Sequence, residues 1–456
     1  MLEIFGTDGV RGIAGEELTP LLAYRLGRAG AHILRQKTAG GRAGDRPVVY
    51  VGRDTRISGS MLEAALCAGI CSMGVDAICA GVIPTPGVAC LARQRRALAG
   101  VVISASHNPY PDNGIKFFAG TGCKLPDDWE TEIAAALDGA DTLPAVAGRE
   151  IGRIEYAPEL IDVYRDFLLT DAPSLAGWKI VVDGANGAAS ALAPSLFASL
   201  GARVEAVFCR PDGTNINAGC GSTQPEALAA AVRRVGADAG LAFDGDADRL
   251  IAADAEGRIL DGDHIMVICA LARAGHSLPA EAVVVTVMSN IGLERALTAA
   301  GITVHRTQVG DRYVMEKLAQ TGAALGGEQS GHIIFPLRHT TGDGIFTALE
   351  LLRIMRGSGR SLAELGAQME QFPQVLLNAP VGPKEAVLAA PAVQAAIRAV
   401  EERLGSGGRL LVRPSGTEPL IRVMLEGREE KELRRLGQEL IDLVTATATE
   451  ISSGRH

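Results

Sequence analysis

One pattern recurs three times along this chain of 456 residues and limits what it can fold into. Each copy is a β-branched apolar run, then a Gly/Asn/Asp turn, then an Ala/Leu stretch of helical character. The copies are Val48-Val49-Tyr50-Val51-Gly52-Arg53-Asp54, Lys179-Ile180-Val181-Val182-Asp183-Gly184-Ala185-Asn186-Gly187 and Ala282-Val283-Val284-Val285-Thr286-Val287-Met288-Ser289-Asn290. Uninterrupted apolar runs of this length suit strands covered on both faces. Strands alternating with helices imply βαβ units and a mainly parallel sheet. The copies lie roughly 100 to 130 residues apart, too far for a solenoid, so they mark related α/β domains. The last ~85 residues differ. Two strand-like pieces, Gly408 to Val412 and Leu420 to Glu426, flank a loop, and a helix over Glu429 to Ala446 follows. The expected architecture is three related mixed or parallel α/β domains, residues 1–155, 156–256 and 257–369. A smaller α+β domain, 370–456, completes it, with a central cleft collecting the loops.

Composition removes several function classes. Hydrophobic residues are 47% and charged residues 21%, so the chain is globular rather than disordered. No apolar run reaches the ~18 residues of a membrane helix, and the first residues show no signal peptide. With 53 acidic against 44 basic residues the net charge is −9, which disfavours nucleic acid as a partner. None of the eight cysteines forms a C-x-x-C pair, so they read as small core residues in a reducing cytoplasm. Only seven residues are lysine, so a lysine inside a motif stands out. Glycine, at 55 residues, exceeds the usual ~7%, and tight loops are where backbone approaches a ligand.

Four loops carry candidate chemistry. Ser104-Ala105-Ser106-His107-Asn108-Pro109 follows the apolar run Ala99 to Ile103, which places a serine where α/β folds bind ligands. Downstream, Asp112-Asn113-Gly114-Ile115-Lys116 ends on one of the few lysines. Asp244-Gly245-Asp246-Ala247-Asp248-Arg249 sets three alternating carboxylates between two apolar runs. They repel one another unless a hard cation neutralises them, and open coordination positions suit Mg²⁺ awaiting a phosphate oxygen. Gly326-Gly327-Glu328-Gln329-Ser330-Gly331-His332 offers Glu328, Ser330 and His332 as a set for sugar hydroxyls. Arg413-Pro414-Ser415-Gly416-Thr417-Glu418-Pro419, with Arg422 beyond, has the makings of an anion nest with two guanidinium groups. Walker A, complete G-x-G-x-x-G and G-x-S-x-G motifs are absent, against P-loop kinases, Rossmann dehydrogenases and lipase-type hydrolases.

At these residues the chain resembles the α-D-phosphohexomutase superfamily, and within it the bacterial phosphoglucosamine mutases. The match spans essentially the whole chain, with the four loops in the family's order. Phe5-Gly6-Thr7-Asp8-Gly9-Val10-Arg11-Gly12, Asn215-Ile216-Asn217-Ala218-Gly219-Cys220-Gly221-Ser222-Thr223 and Val309-Gly310-Asp311-Arg312-Tyr313-Val314 look like the glucosamine branch. The resemblance implies a phosphorylated Ser106. It implies Mg²⁺ held by Asp244, Asp246, Asp248 and the Ser106 phosphate. It implies interconversion of glucosamine 6-phosphate and glucosamine 1-phosphate for UDP-N-acetylglucosamine synthesis, a sugar 1,6-bisphosphate as intermediate and activator, and a homodimer.

On that reading Arg11, Lys116 and Arg249 stabilise the transferring phosphoryl group. His107, Lys116 and His332 are the candidates for the general base, unranked by sequence. Glu328 and Ser330 bind the sugar, and Arg413, Ser415, Gly416, Thr417 and Arg422 the non-reacting phosphate. The alternatives are a phosphomannomutase or phosphoglucomutase and, from another class, a Mg²⁺-dependent sugar phosphatase.

Overall fold

The computed structural model describes residues 5–6, 8–38, 46–274, 282–415 and 419–453. Contacts divide the chain into two units: Met1–Met288 with Ala300–Gln368, and Ser289–Ala299 with Met369–His456.

The first unit holds three sheets. The first has six strands in the order Val10–Ile13, Asp112–Ala119, Ala99–Ile103, Val48–Arg53, Asp76–Val82, Ile154–Tyr156. Its last four strands run parallel, and Asp112–Ala119 pairs antiparallel on both sides. The apolar run Ala99–Ile103 is buried at every position, as a central strand with both faces covered must be. Helix Pro20–Lys37 begins with Thr19 accepting from the Leu22 amide and Pro20 in its first turn, and ends on Arg35 and Lys37. It packs on helix Gly59–Ser72 closely enough that glycine is required. A Cβ on Gly27 would lie 2.3 Å from the Leu66 carbonyl, and one on Gly69 2.1 Å from that of Tyr24.

The second sheet, ordered Ile259–Leu260, Leu250–Asp254, Ala239–Phe243, Lys179–Asp183, Arg203–Val207, is mixed. The third runs Thr303–Thr307, Ala282–Thr286, Gly326–Gly327, Ile333–Ile334, its last pair antiparallel. All three recurring runs are therefore strands, each parallel to at least one neighbour.

The second unit is α+β. A three-stranded antiparallel sheet, Gln374–Pro380, Leu420–Glu426, Arg409–Pro414, is accompanied by helices Lys384–Ala389, Pro391–Leu404 and Glu430–Ser452. Val423, Leu425, Leu436 and Leu440 lie in its core. Helix Ile291–Ala299 belongs to this unit as well. The Asn290 amide donates to the Phe372 carbonyl (2.9 Å) and accepts from the Phe372 N–H (3.1 Å), and Arg295 stacks on the Phe372 ring. Among the described residues, no helix is long and apolar enough to cross a membrane.

Candidate active site

Three of the four loops meet within the first unit. Asp244–Arg249 is the hairpin loop between the antiparallel strands Ala239–Phe243 and Leu250–Asp254, with Phe243 opposite Leu250. Its centre, Ala247, takes a left-handed φ of +58°. The three aspartates are buried, and their ligand oxygens lie within 4.8 Å of one another. Ser106, at the end of the buried strand, is itself left-handed at φ +50°, a strain of ~1–3 kcal/mol for a residue with a side chain. Its hydroxyl donates to Asp244 Oδ2 at 2.6 Å. The glycine-rich hairpin loop joins the same cluster: Arg249 bridges His332, and the Leu250 amide donates to the Gly331 carbonyl (3.0 Å). Gly331, at φ +92°, has no room for a Cβ, which would sit 2.2 Å from the Leu250 carbonyl.

The charges around the triad are arranged in pairs. Burial, then Asp248 and Asp246, push the Asp244 carboxyl well above its ordinary range. Burial also opposes ionisation of Asp248, but His332, Lys116 and Arg249 outweigh it and hold Asp248 below its ordinary range. Asp246 Oδ1 and Asp248 Oδ1 are buried oxygens without a hydrogen-bond partner. Orphaned, converging carboxylate oxygens are the donor set of a hard divalent cation, so the triad fits a metal centre. Lys116, 3% exposed, lies 3.5 Å from Asp246 and 3.0 Å from Asp8. Burial works against its charge, yet Asp8, Asp246 and Asp248 raise it, so it stays an ammonium. Burial, with Arg249 and Arg11, lowers His107 to about 4, leaving a neutral ring whose Nδ1 is 3.4 Å from Ser106 Oγ.

Glu328, Ser330 and His332 do not act as one set. Glu328 Oε1 accepts from the Gly310 amide (3.0 Å) and Oε2 from the Ser330 hydroxyl (3.3 Å). His332 turns instead to Asp248, with Nδ1 3.4 Å from Oδ2. Against burial, Asp248 draws the ring up to about 9 and favours the imidazolium. The Gly342 amide, however, donates to Nε2 at 3.2 Å, which needs a lone pair there. The amide decides the form, because an imidazolium would set two donors face to face. The ring is the neutral tautomer with its hydrogen on Nδ1, and both nitrogens are engaged.

Profiles of the phosphoglucomutase/phosphomannomutase family match four successive stretches: alpha/beta/alpha domain I at residues 2–143, domain II at 161–257, domain III at 261–372 and the C-terminal domain at 376–443. The phosphoglucosamine mutase of Desulforudis audaxviator is 56% identical over 445 residues, covering 97% of this chain and 98% of its own. That of Moorella thermoacetica is 55% identical over 439 residues, covering 96% and 98%. The chain belongs to the phosphoglucosamine mutase family. It is accordingly an enzyme of the phosphohexomutase class. Among solved structures, a phosphoglucomutase/phosphomannomutase family protein from Burkholderia thailandensis superposes with a TM-score of 0.81 at 27% identity, covering 98% of this chain and 97% of that one. The N-acetylphosphoglucosamine mutase of Aspergillus fumigatus, solved with GlcNAc-6P and magnesium, shares the fold with a TM-score of 0.66 at 18% identity, covering 97% and 96%.

The remaining loop of this phosphohexomutase lies in the second unit. Arg413 and Arg422 face each other across the antiparallel pair Arg409–Pro414 and Leu420–Glu426. Burial and the neighbouring Arg422 lower the Arg413 guanidinium from its ordinary value. Lys384 adds its charge by donating to the Ser415 carbonyl (2.6 Å). Gly416 and Thr417 lie outside the described residues.

Sequence reasoning passed over Asp8. Its carboxylate joins Arg11, Lys116 and Lys124, and they hold it well below the ordinary range against burial. It also passed over Thr85, whose hydroxyl donates to Asp246 Oδ2 (2.6 Å) and whose amide donates to the Asp246 carbonyl (2.9 Å). Gly344 was missed too: its amide donates to the Ala247 carbonyl (3.0 Å) at the apex of the acidic loop. Asp8 had a signal, a carboxylate inside a Gly-rich opening motif. Thr85 and Gly344 had none, because their partners are over 90 residues away in the chain.

Proposed function

We propose that this enzyme interconverts glucosamine 6-phosphate and glucosamine 1-phosphate through a phosphorylated Ser106 and a glucosamine 1,6-bisphosphate. The contact of the Ser106 hydroxyl with Asp244, at the edge of the buried acidic triad, carries the reading. The Ser106 phosphoryl passes to the free O1 or O6 hydroxyl of the bound sugar phosphate. The resulting bisphosphate turns over and returns its other phosphoryl group to Ser106. Asp244, Asp246, Asp248 and the Ser106 phosphate would hold Mg²⁺, which would supply positive charge to the transferring group. Lys116, an ammonium fixed between Asp8 and Asp246, meets the same oxygens with Arg11 and Arg249.

Of the three candidate bases, Lys116 keeps its proton and His332 has no free nitrogen. His107 is left to take the sugar hydroxyl proton, as a neutral ring beside Ser106 whose basicity burial and the two arginines weaken. Glu328 and Ser330 accept and donate to the sugar hydroxyls. Arg413, Ser415, Gly416, Thr417 and Arg422 grip the non-reacting phosphate and hold the bisphosphate while it reorients. Domain boundaries at 155, 256 and 369 assign a single loop to each of four domains. The eight free thiols support a reducing, cytoplasmic setting.

The test is ³¹P NMR of glucosamine, glucose and mannose 6-phosphates in parallel, with Mg²⁺ and a catalytic amount of hexose 1,6-bisphosphate. The expected result is a 1-phosphate signal strongest from glucosamine, lost in Ser106→Ala. Faster glucose or mannose conversion would move the substrate, and free phosphate alone would make the enzyme a phosphatase.

A further inference from the structure

The strained nucleophile needs something to hold it, and a single buried arginine does most of that. The Ser106 carbonyl accepts from Arg56 Nη2 (2.9 Å) and Asn217 Nδ2 (2.9 Å). The same two groups reach the Asn108 carbonyl at 2.8 and 3.1 Å. Arg56 Nη1 donates to the carbonyls of Pro109 and Asp112, the latter at 2.9 Å. The guanidinium thus fastens four carbonyls of the nucleophile loop from underneath. It is 1% exposed and backed by Asp54, itself fully buried, which accepts from Arg56 Nε (2.8 Å) and from the Arg56 amide (2.9 Å). Asp54 also accepts from the Ser104 hydroxyl (2.6 Å), which in turn accepts from the Ser106 amide (2.9 Å). Both peptide groups flanking Ser106 are pinned, and the pins converge on one ion pair.

We infer that Arg56, seconded by Asn217, is a positioning residue for the phosphoryl-carrying serine: it locks Ser106 in the left-handed conformation that aims Oγ at Asp244. The Arg56 side chain hydrogen-bonds to the nucleophile loop and Asp54 and to no aspartate of the triad, so it acts through the loop. A planar guanidinium with five donors can serve four carbonyls and a carboxylate at once, while an ammonium has three donors from one point. Arg56→Lys therefore keeps the charge opposite Asp54 and drops most of the pins. The inference rests on Ser106 being the nucleophile.

The experiment compares wild type, Arg56→Lys and Asn217→Gly. Glycine suits position 217, whose φ is +58°, and removes only the side-chain donor. Rapid-quench discharge of the ³²P-labelled phosphoenzyme to sugar phosphate gives the transfer rate. Steady-state kinetics give KM, and the ³¹P line of the phosphoserine reports its geometry. A displaced nucleophile costs about 100-fold in rate when misplaced by ~1 Å. The expected loss is about that for Arg56→Lys and about tenfold for Asn217→Gly. Sugar KM stays within threefold, and the phosphoserine line shifts or broadens. Should Arg56→Lys fail to fold, Asn217→Gly carries the test. Transfer rates within twofold of wild type, or losses matched by KM with an unchanged phosphoserine line, would overturn the inference. A wild type that carries no phosphoserine would refute the nucleophile assignment instead.

Discussion

Metal binding at the triad should release a proton, and the number released follows from the arrangement of charge. In the metal-free enzyme Asp248 is held ionised by the Nδ1–H that the neutral His332 ring turns toward it and by the charges of Lys116 and Arg249, whereas burial and its two acidic neighbours raise Asp244. An acid whose pKa is raised keeps its proton at a pH where a surface aspartate has lost it. The 2.6 Å bond to Ser106 tolerates this, since a protonated Asp244 donates where the carboxylate accepted. A divalent cation needs the ionised carboxylate, so binding expels that proton. The apparent association constant then rises about tenfold, or ~1.4 kcal/mol, per pH unit below the raised pKa of Asp244, and is flat above it. Folding carries the opposite sign. The metal-free enzyme loses stability as pH rises through that raised pKa, because the folded state binds the proton more tightly than the unfolded one. Calorimetric titration of the dephosphorylated enzyme with Mg²⁺, in two buffers of different ionisation enthalpy, counts the proton directly. About one proton per ion at the acid end, lost in Asp244→Asn if binding survives, is the expected outcome. Measurable binding with no proton release at any pH from the ordinary carboxylate range up to neutrality would refute the argument.

Three further outcomes are expected. Lys116→Met should lower kcat by about 10²–10³-fold, because one fixed cation is removed from the transferring oxygens, and steady-state assays at saturating sugar phosphate will show it. Arg422→Gln should raise KM by about 10- to 100-fold, the worth of one charge-assisted phosphate contact, with a smaller change in kcat. Gly27→Ala forces a Cβ against the Leu66 carbonyl and should destabilise the helix pair by ~1–3 kcal/mol, read as a shortened half-life of activity on heating.

Much of the fold is legible because buried strands leave uninterrupted apolar runs that few other structures need. Val48–Arg53, Lys179–Asp183 and Ala282–Thr286 are visible on that ground alone. The acidic loop is legible for the converse reason, since three carboxylates between apolar runs are too costly to be incidental. The C-terminal helix was underestimated: it runs to Ser452 rather than Ala446, because its apolar stripe thins before its hydrogen bonding stops. Side-chain direction is the aspect that stays hidden. His332 reads as a sugar ligand until the Gly342 amide, ten residues on, fixes its ring. Nothing in the sequence marks Arg56, because the four carbonyls it serves lie about 50 residues downstream and become neighbours only when the strands pair. Two of the cysteines, Cys123 and Cys209, are only half-buried, so the core reading suits the other six.

The second unit is built from two separate stretches of chain, and this bears on how it can be made and exchanged. Residues 289–299 leave the ribosome well before Met369, and their partners Phe372 and Glu426 come later still. Helix Ile291–Ala299 has to wait, unfinished, through the synthesis of everything between. A truncation at Gln368 therefore removes more than a terminal module: it strands a helix whose neighbours are gone. For the same reason a swap with a related enzyme needs two donor segments, and a single crossover near residue 369 would pair one parent's helix with the other parent's sheet.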